Sequence, residues 1–436
     1  MKFMKQTFKK IIIPIITWQA KLVIKKYNPK IIAITGSVGK TSTKDAIFTV
    51  LSKFKTVRKS EKSFNSEIGL PLTVLGVPNG WSDPIAWLSN IIHGFSLIFK
   101  KHKYPEYLIL EIGVGKPGDI KKNVLPWLKT DVVVITRFPD KPVHVEFFNG
   151  VEEIIEEKSL LINTLKKEGI LLLNHDDEKV YALHSKSEAR VISFGSSENS
   201  TYRSSYPTYI YKEENKLKIP SGINFKLDYD GNSFPVMLPN VVGFHNINQA
   251  TSAIACAHLV GCDLLESIKA ISEYITPPGR LSLIEGINKS FIIDDTYNSS
   301  PVAMMSAIEV FKDIKGKRKI AILGDMLELG KFTEEEHRLV GENISKVTDI
   351  LVVVGPRAKF IAEGAIDSGF NKENVKYFDN SKIASKDIES LIKDGDIILV
   401  KGSQGVRMER IVEVLMKHKE LKKSLLCRQD KEWKNR

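Results

Sequence analysis

A chain of 436 residues with 42% hydrophobic and 27% charged side chains has material for two or three packed cores, which excludes a disordered or low-complexity protein. Its formal net charge of +12 favours anionic partners, meaning nucleotides, nucleic acid or an acidic membrane surface, without choosing among them. Cys256, Cys262 and Cys427 have neither metal nor disulfide spacing and fit a reducing cytoplasm.

No uncharged apolar run reaches the roughly 18 residues of a membrane-spanning helix. Two segments come near it. Residues 1–29 combine seven lysines with Ile11, Ile12, Ile13, Ile15, Ile16, Trp18 and Leu22, and no small-residue cleavage site follows as it would in a signal peptide. Residues 81–99 are apolar and aromatic and are followed by Lys100 and Lys101. Either could lie in a membrane interface. The second is expected as a helix packed on the protein, and the first stays open between packing and peripheral membrane contact.

Ile31 to Thr41 reads IIAITGSVGKT. Ile31, Ile32, Ala33 and Ile34 suit a buried parallel strand, and Ala46, Ile47, Val50 and Leu51 recur at helical spacing after the glycines. Strand, glycine turn and helix form the setting of a phosphate-binding loop, here with the shorter G-x-x-G-K-T spacing. Gly36, Ser37, Val38 and Gly39 would curl the backbone so that its N–H groups and the helix N-terminus face phosphate oxygens. Lys40 would reach the β- and γ-phosphates, the Thr41 hydroxyl would hold Mg²⁺, and Ser42 completes the loop. The bland alternative is a strand-to-helix turn with a surface lysine.

Further strands are expected at 107–110, 131–137 and 169–174, with a short one after Thr56 and a helix over 151–165. This alternation argues for a doubly wound, mostly parallel α/β sheet, whose ligands bind at the carboxyl ends of strands, where Gly36, Glu111 and His144 fall. Residues 196–240 alternate apolar and polar residues, with turns expected at Pro220-Ser221-Gly222 and Asp230-Gly231-Asn232, so a β-rich insert is expected there. Residues 243–261 read as a buried helix. Pro277-Pro278-Gly279 marks a domain boundary, after which strands at 290–294, 319–323, 350–354 and 397–400 form a second α/β domain. The expected divisions are 1–29, 30–278, 279–417 and a charged tail, 418–436, that frays.

Several of these stretches, in order and at plausible spacing over about residues 30 to 417, resemble the Mur ligase family, its D-alanyl-D-alanine-adding type in particular. They are TGSVGKTS, SFNSEIGLPLT, EIG at Glu111, PVHVEFF, EKSLL around Lys158, GFHNINQA, PGR at Arg280, IDDTYNSSP, ILGDMLELG with the later His337, and VKGSQGVRME. The resemblance implies a central ATPase domain and a C-terminal Rossmann-like domain that brings the amino substrate. It implies ATP and Mg²⁺ as cofactors. Glu111 and Thr41 would ligate one Mg²⁺ and His144 a second, while Asn65, in the asparagine-rich segment, is a candidate catalytic residue together with Lys40, Lys158 and His144. Lys158 matches a lysine that is carbamylated in many members, Asn246 would contact adenine, and Arg280 and Asp295 would reach the nucleotide from the C-terminal side. Three departures stand out: only about thirty residues precede the loop where the type carries a full N-terminal domain, Gln249 replaces an asparagine, and Asn65-Ser66-Glu67 replaces NNE.

The chemistry so implied joins a carboxylate to an amine, with the carboxylate first activated as an acyl phosphate. Lys40 and Mg²⁺ would offset the repulsion between carboxylate and polyphosphate. The implied partners are a nucleotide-linked peptide acceptor and an amino acid or dipeptide donor, most closely D-Ala-D-Ala and a UDP-MurNAc-tripeptide, with no nucleic acid. The implied setting is a monomer in the cytoplasm or at the inner membrane surface. The alternatives are a Mur-like ligase for folate, cyanophycin or another cell-wall peptide, and a membrane-surface P-loop module without ligase activity. By residue pattern alone, Lys158 reads as a lysine on an exposed helix face.

Overall fold

The computed structural model describes all residues except 1, 62–65, 82, 139–147, 149, 215–216, 240, 431–432 and 434–436. The His144 and Asn65 expectations therefore lie outside the described residues.

The first sheet contains β1 (Lys30–Thr35), β2 (Val57–Lys59), β3 (Tyr107–Glu111), β4 (Thr130–Ile135), β5 (Leu165–Asn174), β6 (Arg190–Gly195), β7 (Tyr202–Glu214), β8 (Leu217–Tyr229) and β9 (Asn232–Pro239). Its order is β2-β3-β1-β4-β5-β6-β7-β8-β9, parallel from β2 to β7 and antiparallel from β7 to β9. Side chains alternate between two covered faces. Ile32 and Ile34 join the core under α2 (Lys40–Leu51), and Ile31 and Ala33 join the core on the opposite face. The β-rich stretch thus extends this sheet: β6 pairs with β7 through Phe194↔Tyr202 and Gly195↔Arg203. Pro220-Ser221-Gly222 is no turn, a correction to the sequence expectation. It lies within β8, where the ladder shifts register so that Tyr211 faces Pro220 while Ile210 faces Gly222. A bulge of this kind accommodates a proline that brings no N–H to the ladder.

The second face carries α1 (Lys2–Tyr27), α3 (Gly69–Leu75) and α4 (Pro84–Phe99). Ile12, Ile16, Ala20 and Val23 recur at helical spacing on α1 and bury in that core. Lys26 Nζ donates to Leu97 O at 2.9 Å and Ile98 O at 3.0 Å, satisfying orphan carbonyls at the end of α4. Residues 11–27 are therefore built into the α/β core instead of standing apart from it. α4 packs on the protein as expected, with Trp87, Asn90, Gly94 and Leu97 inward.

The second sheet runs β10-β11-β15-β12-β13-β14, from β10 (Ser282–Glu285), β11 (Phe291–Asp295), β12 (Arg318–Gly324), β13 (Ile350–Val354), β14 (Val375–Phe378) and β15 (Asp396–Lys401). It is parallel but for β10, an antiparallel edge. Residues 277–279 fall in the connection before β10. The tail departs from the fraying expectation: Leu426, Cys427 and Arg428 are buried. Arg428 donates to Tyr297 O at 2.8 Å and to Glu409 Oε2 at 2.6 Å, which fastens residues 426–428 to the second domain.

Candidate active site

The loop after β1 needs its glycines. Gly36 has φ +140°, and a Cβ there would stand 2.1 Å from Thr136 Oγ1. Gly39 has φ +86° at the N-terminus of α2. Thr136 Oγ1 donates to Val38 O at 2.7 Å and braces the curl from β4. Gln249, on α8 after α5 (Asp119–Asn123), α6 (Val151–Ser159) and α7 (Glu178–Tyr181), closes the other side. α8 spans Asn246–Leu259, and Gln249 Nε2 would lie 3.1 Å from a Cβ on Gly39.

Lys40 Nζ folds back on its own loop, 3.0 Å from Gly36 O and 3.4 Å from Ser37 O. Burial pushes its pKa down, Glu111 opposes that, and Arg280 adds to it. Thr41 Oγ1 donates to Glu111 Oε2 at 3.0 Å, and Glu111 is only 2% exposed at the carboxyl end of β3. Lys44 Nζ stands 3.5 Å from the same oxygen. A hydroxyl and a carboxylate side by side supply two hard oxygen donors of the kind Mg²⁺ takes together with phosphate and water. Ser42 is buried beneath the loop in the first turn of α2.

Lys158 does not lie on an exposed face. On α6 it is 5% exposed, and its Nζ donates to Ser37 Oγ at 2.8 Å. Burial first, and the neighbouring Lys40 second, hold its pKa well below the ordinary lysine value.

The second domain completes the site. Arg280 Nη2 donates to Thr41 Oγ1 at 3.3 Å, and its guanidinium lies 4.3 Å from the centre of the Tyr297 ring. Among the described residues, Arg280 Nε is buried without a hydrogen-bond partner. Asp295 Oδ2 pairs with Lys401 Nζ at 2.6 Å, while Asp294 turns away, wholly buried. Ser37 to Thr41, Glu111, Arg280, Asp295, Lys401 and Arg407 share one cleft of about 1210 Å³ between the two sheets. Asn246 is not brought to that cleft. It is 1% exposed and its Nδ2 donates to Val242 O at 2.9 Å and Gly243 O at 3.2 Å.

Sequence reasoning singled out no role for Lys44, Lys401 or Arg407. Lys44 had a usable signal, since i+3 from Thr41 on a helix places it on the same face. Lys401 and Arg407 stood inside VKGSQGVRME without a feature that separated them from their neighbours.

A phosphate-binding loop facing a second parallel sheet across one cleft defines a P-loop nucleotide enzyme whose second domain supplies part of the site. Residues 34–257 match the Mur ligase middle domain and residues 279–404 the Mur ligase glutamate ligase domain, and the chain belongs to the Mur ligase family of ATP-dependent amide ligases. A Bacillus subtilis protein named UDP-N-acetylmuramoyl-tripeptide--D-alanyl-D-alanine ligase is 30% identical over 91% of this chain and 78% of its own length. MurF ligase from Thermotoga maritima, solved in complex with ADP, superposes with a TM-score of 0.74 at 25% identity over 94% of this chain and 84% of its own. MurF from Acinetobacter baumannii gives 0.74 at 24% identity, over 90% and 78%.

Proposed function

We propose that the enzyme joins D-Ala-D-Ala to a UDP-MurNAc-tripeptide-like acceptor in peptidoglycan synthesis. The observation that carries this reading is the shared cleft. Loop residues for a nucleotide triphosphate stand on one wall, and the cations Arg280 and Lys401 with Asp295 stand on the other. The names borne by the relatives, and the ADP of the Thermotoga structure, support the choice of substrates and nucleotide.

In this reading a carboxylate oxygen of the acceptor attacks the γ-phosphorus, and ADP leaves. The amine nitrogen of the dipeptide then attacks the acyl carbon, loses a proton and expels phosphate as the amide forms. Lys40 moves from Gly36 O and Ser37 O onto phosphate oxygens, and Arg280 offers Nε to the same anion. Thr41 and Glu111 would hold Mg²⁺, which would supply neutralisation of the charge that develops on the phosphate. His144 would serve a second ion and Asn65 the reacting groups. Lys158, its uncharged amine favoured by burial, would add through Nζ to the carbon of CO₂ and release one proton to solvent, giving a carbamate anion that would help hold Mg²⁺. Asp295 binds the nucleotide from the second domain. Asn246 holds the backbone of residues 242–243 through its hydrogen bonds to Val242 O and Gly243 O. Both walls of the cleft come from one chain, which supports a site complete in the monomer. Three free thiols support a cytoplasmic setting.

The test is incubation with ATP, Mg²⁺ and pairs of acceptor and amine, with phosphate release and product mass followed together. Phosphate release and a dipeptide adduct only with the tripeptide nucleotide and D-Ala-D-Ala are expected. Turnover with a folate and glutamate pair alone would overturn the substrate assignment.

A further inference from the structure

The outer surface of α1 and α4 is unlike the rest of the molecule. Ile85, Leu88, Ile92, Phe95 and Phe99 recur at spacings of three and four along α4, and all five point outward, with Ile85 and Phe99 each 78% exposed. Trp18 of α1, 49% exposed, meets Phe95 edge-on with ring centroids 6.1 Å apart, and Phe95 stacks near Phe99. The two helices run side by side in the same direction, since Gln19 Nε2 reaches Ile91 O at 2.9 Å while Lys26 reaches Leu97 and Ile98. Exposed Ile11 belongs to the same outer stripe of α1 as Trp18. The inner faces of both helices are spent on the core, so this outer stripe is a second apolar face that folding leaves uncovered.

Charge identifies the occupant. Neither helix contains an acidic residue, and α1 carries seven lysines. Lys21, Lys25, Lys26, Lys100, Lys101 and Lys103 are exposed around the shared C-terminal end of the pair. A second copy docked on this stripe would set lysine-bearing helices against each other with no carboxylate on either helix to pair them. No helix among the described residues is long and apolar enough to cross a membrane. Apolar and aromatic side chains beside a basic cluster, on two helices that carry no acidic residue, match the interfacial zone of a bilayer with anionic headgroups.

We propose that the α1–α4 face docks the enzyme on an anionic lipid surface, with the α4 stripe entering the interface and the lysines on headgroup phosphates. The face lies on the side of the sheet opposite α2, so docking makes no use of the nucleotide cleft residues and stands independently of the substrate assignment.

The test is co-sedimentation of the full chain with vesicles of phosphatidylcholine alone and of phosphatidylcholine mixed with phosphatidylglycerol. Binding to the mixed vesicles, weakened by salt, is expected, with little binding to the neutral ones. The pair Ile92→Glu with Phe99→Glu should lose at least tenfold in partitioning while melting temperature and ATP turnover stay unchanged, because both side chains are exposed. Lys21→Glu with Lys25→Glu should lose at least fivefold, following the contribution of single basic residues near a charged surface. Absence of binding, equal binding to neutral vesicles, or a dimer in sedimentation equilibrium that Ile92→Glu with Phe99→Glu dissolves would each overturn the proposal.

Discussion

Replacing Lys158 separates what its burial does to stability from what its nitrogen does to chemistry. Its folded pKa lies well below the unfolded value, so between the two the unfolded chain binds the extra proton and folding is opposed. That opposition is full below the folded pKa and fades as pH rises toward the ordinary lysine range. Lys158→Met keeps the length and removes the ammonium. Exchanging a buried charge for a packed apolar group runs from neutral to about 4 kcal/mol stabilising. Losing the hydrogen bond to Ser37 Oγ takes back about 1 kcal/mol. A gain near 1 kcal/mol remains, read as a rise in melting temperature of about 1–2 °C near neutral pH that shrinks at alkaline pH. Turnover should nevertheless fall by about 10²-fold, as for the loss of one preorganised charge contact. In Lys158→Ala, acetate or bicarbonate should restore part of the activity by entering the vacated space, and in Lys158→Met it should not, because the thioether fills that space. Phosphate release and thermal melting of both variants check this. Near-normal turnover in Lys158→Met, or a drop in melting temperature of the size that a core truncation causes, would refute the reasoning.

Lys40→Ala should lower ATP-dependent ligation by about 10²-fold while leaving the melting curve in place, since among the described residues Nζ hydrogen-bonds to carbonyls of its own loop; steady-state phosphate release against calorimetry decides it. Ile16→Ala should destabilise the protein by about 2–4 kcal/mol, because Ile16 is fully buried where α1 meets the sheet, and denaturant unfolding measures it. Unchanged stability would mean that α1 is an appendage. Asp294 is fully buried and its pKa is pushed up to about 7, first by desolvation, with Thr296 hydrogen bonds opposing. Its folded state therefore favours the proton, and the associated stability is present below the ordinary carboxyl pKa and lost as pH rises through about 7. Asp294→Asn should flatten that loss and stabilise the protein at alkaline pH by up to about 4 kcal/mol, from a shift of roughly three units at about 1.4 kcal/mol each. Melting temperatures across pH check the slope, and parallel curves for both proteins would sink it.

The parallel strands were legible because each is a short apolar run between breakers, and because the glycines of the loop have no other use at those φ values. β6, β10 and β14 were not anticipated. β14 exposes Lys376 and Tyr377 and is only partly covered, and β10 is a four-residue antiparallel edge, so neither forms the continuous apolar run of a central strand. Pro220 suggested a turn because proline removes a ladder donor, and only the opposing register shift at Ile210 and Tyr211 makes it tolerable. The site was legible where residues adjoin in sequence, as Lys40 and Thr41 do. It was hidden where it depends on packing across the chain. α6 shows this most sharply. Glu157 and Lys158 are adjacent charges in a segment rich in glutamates, which by pattern reads as a solvated face. Both are buried. Glu157 accepts N–H groups from Gly118 at 2.8 Å and Ile120 at 2.7 Å, at the start of α5, while Lys158 is turned to Ser37. Two charges buried where hydrophobic patterning would have placed leucines oppose the local rule, and the carboxylate is offset by its two hydrogen bonds. Among the described residues the lysine has one hydroxyl partner and a neighbouring cation, so the described packing gives no reason for a lysine there. That imbalance is what the proposed role of Lys158 in the reaction would account for.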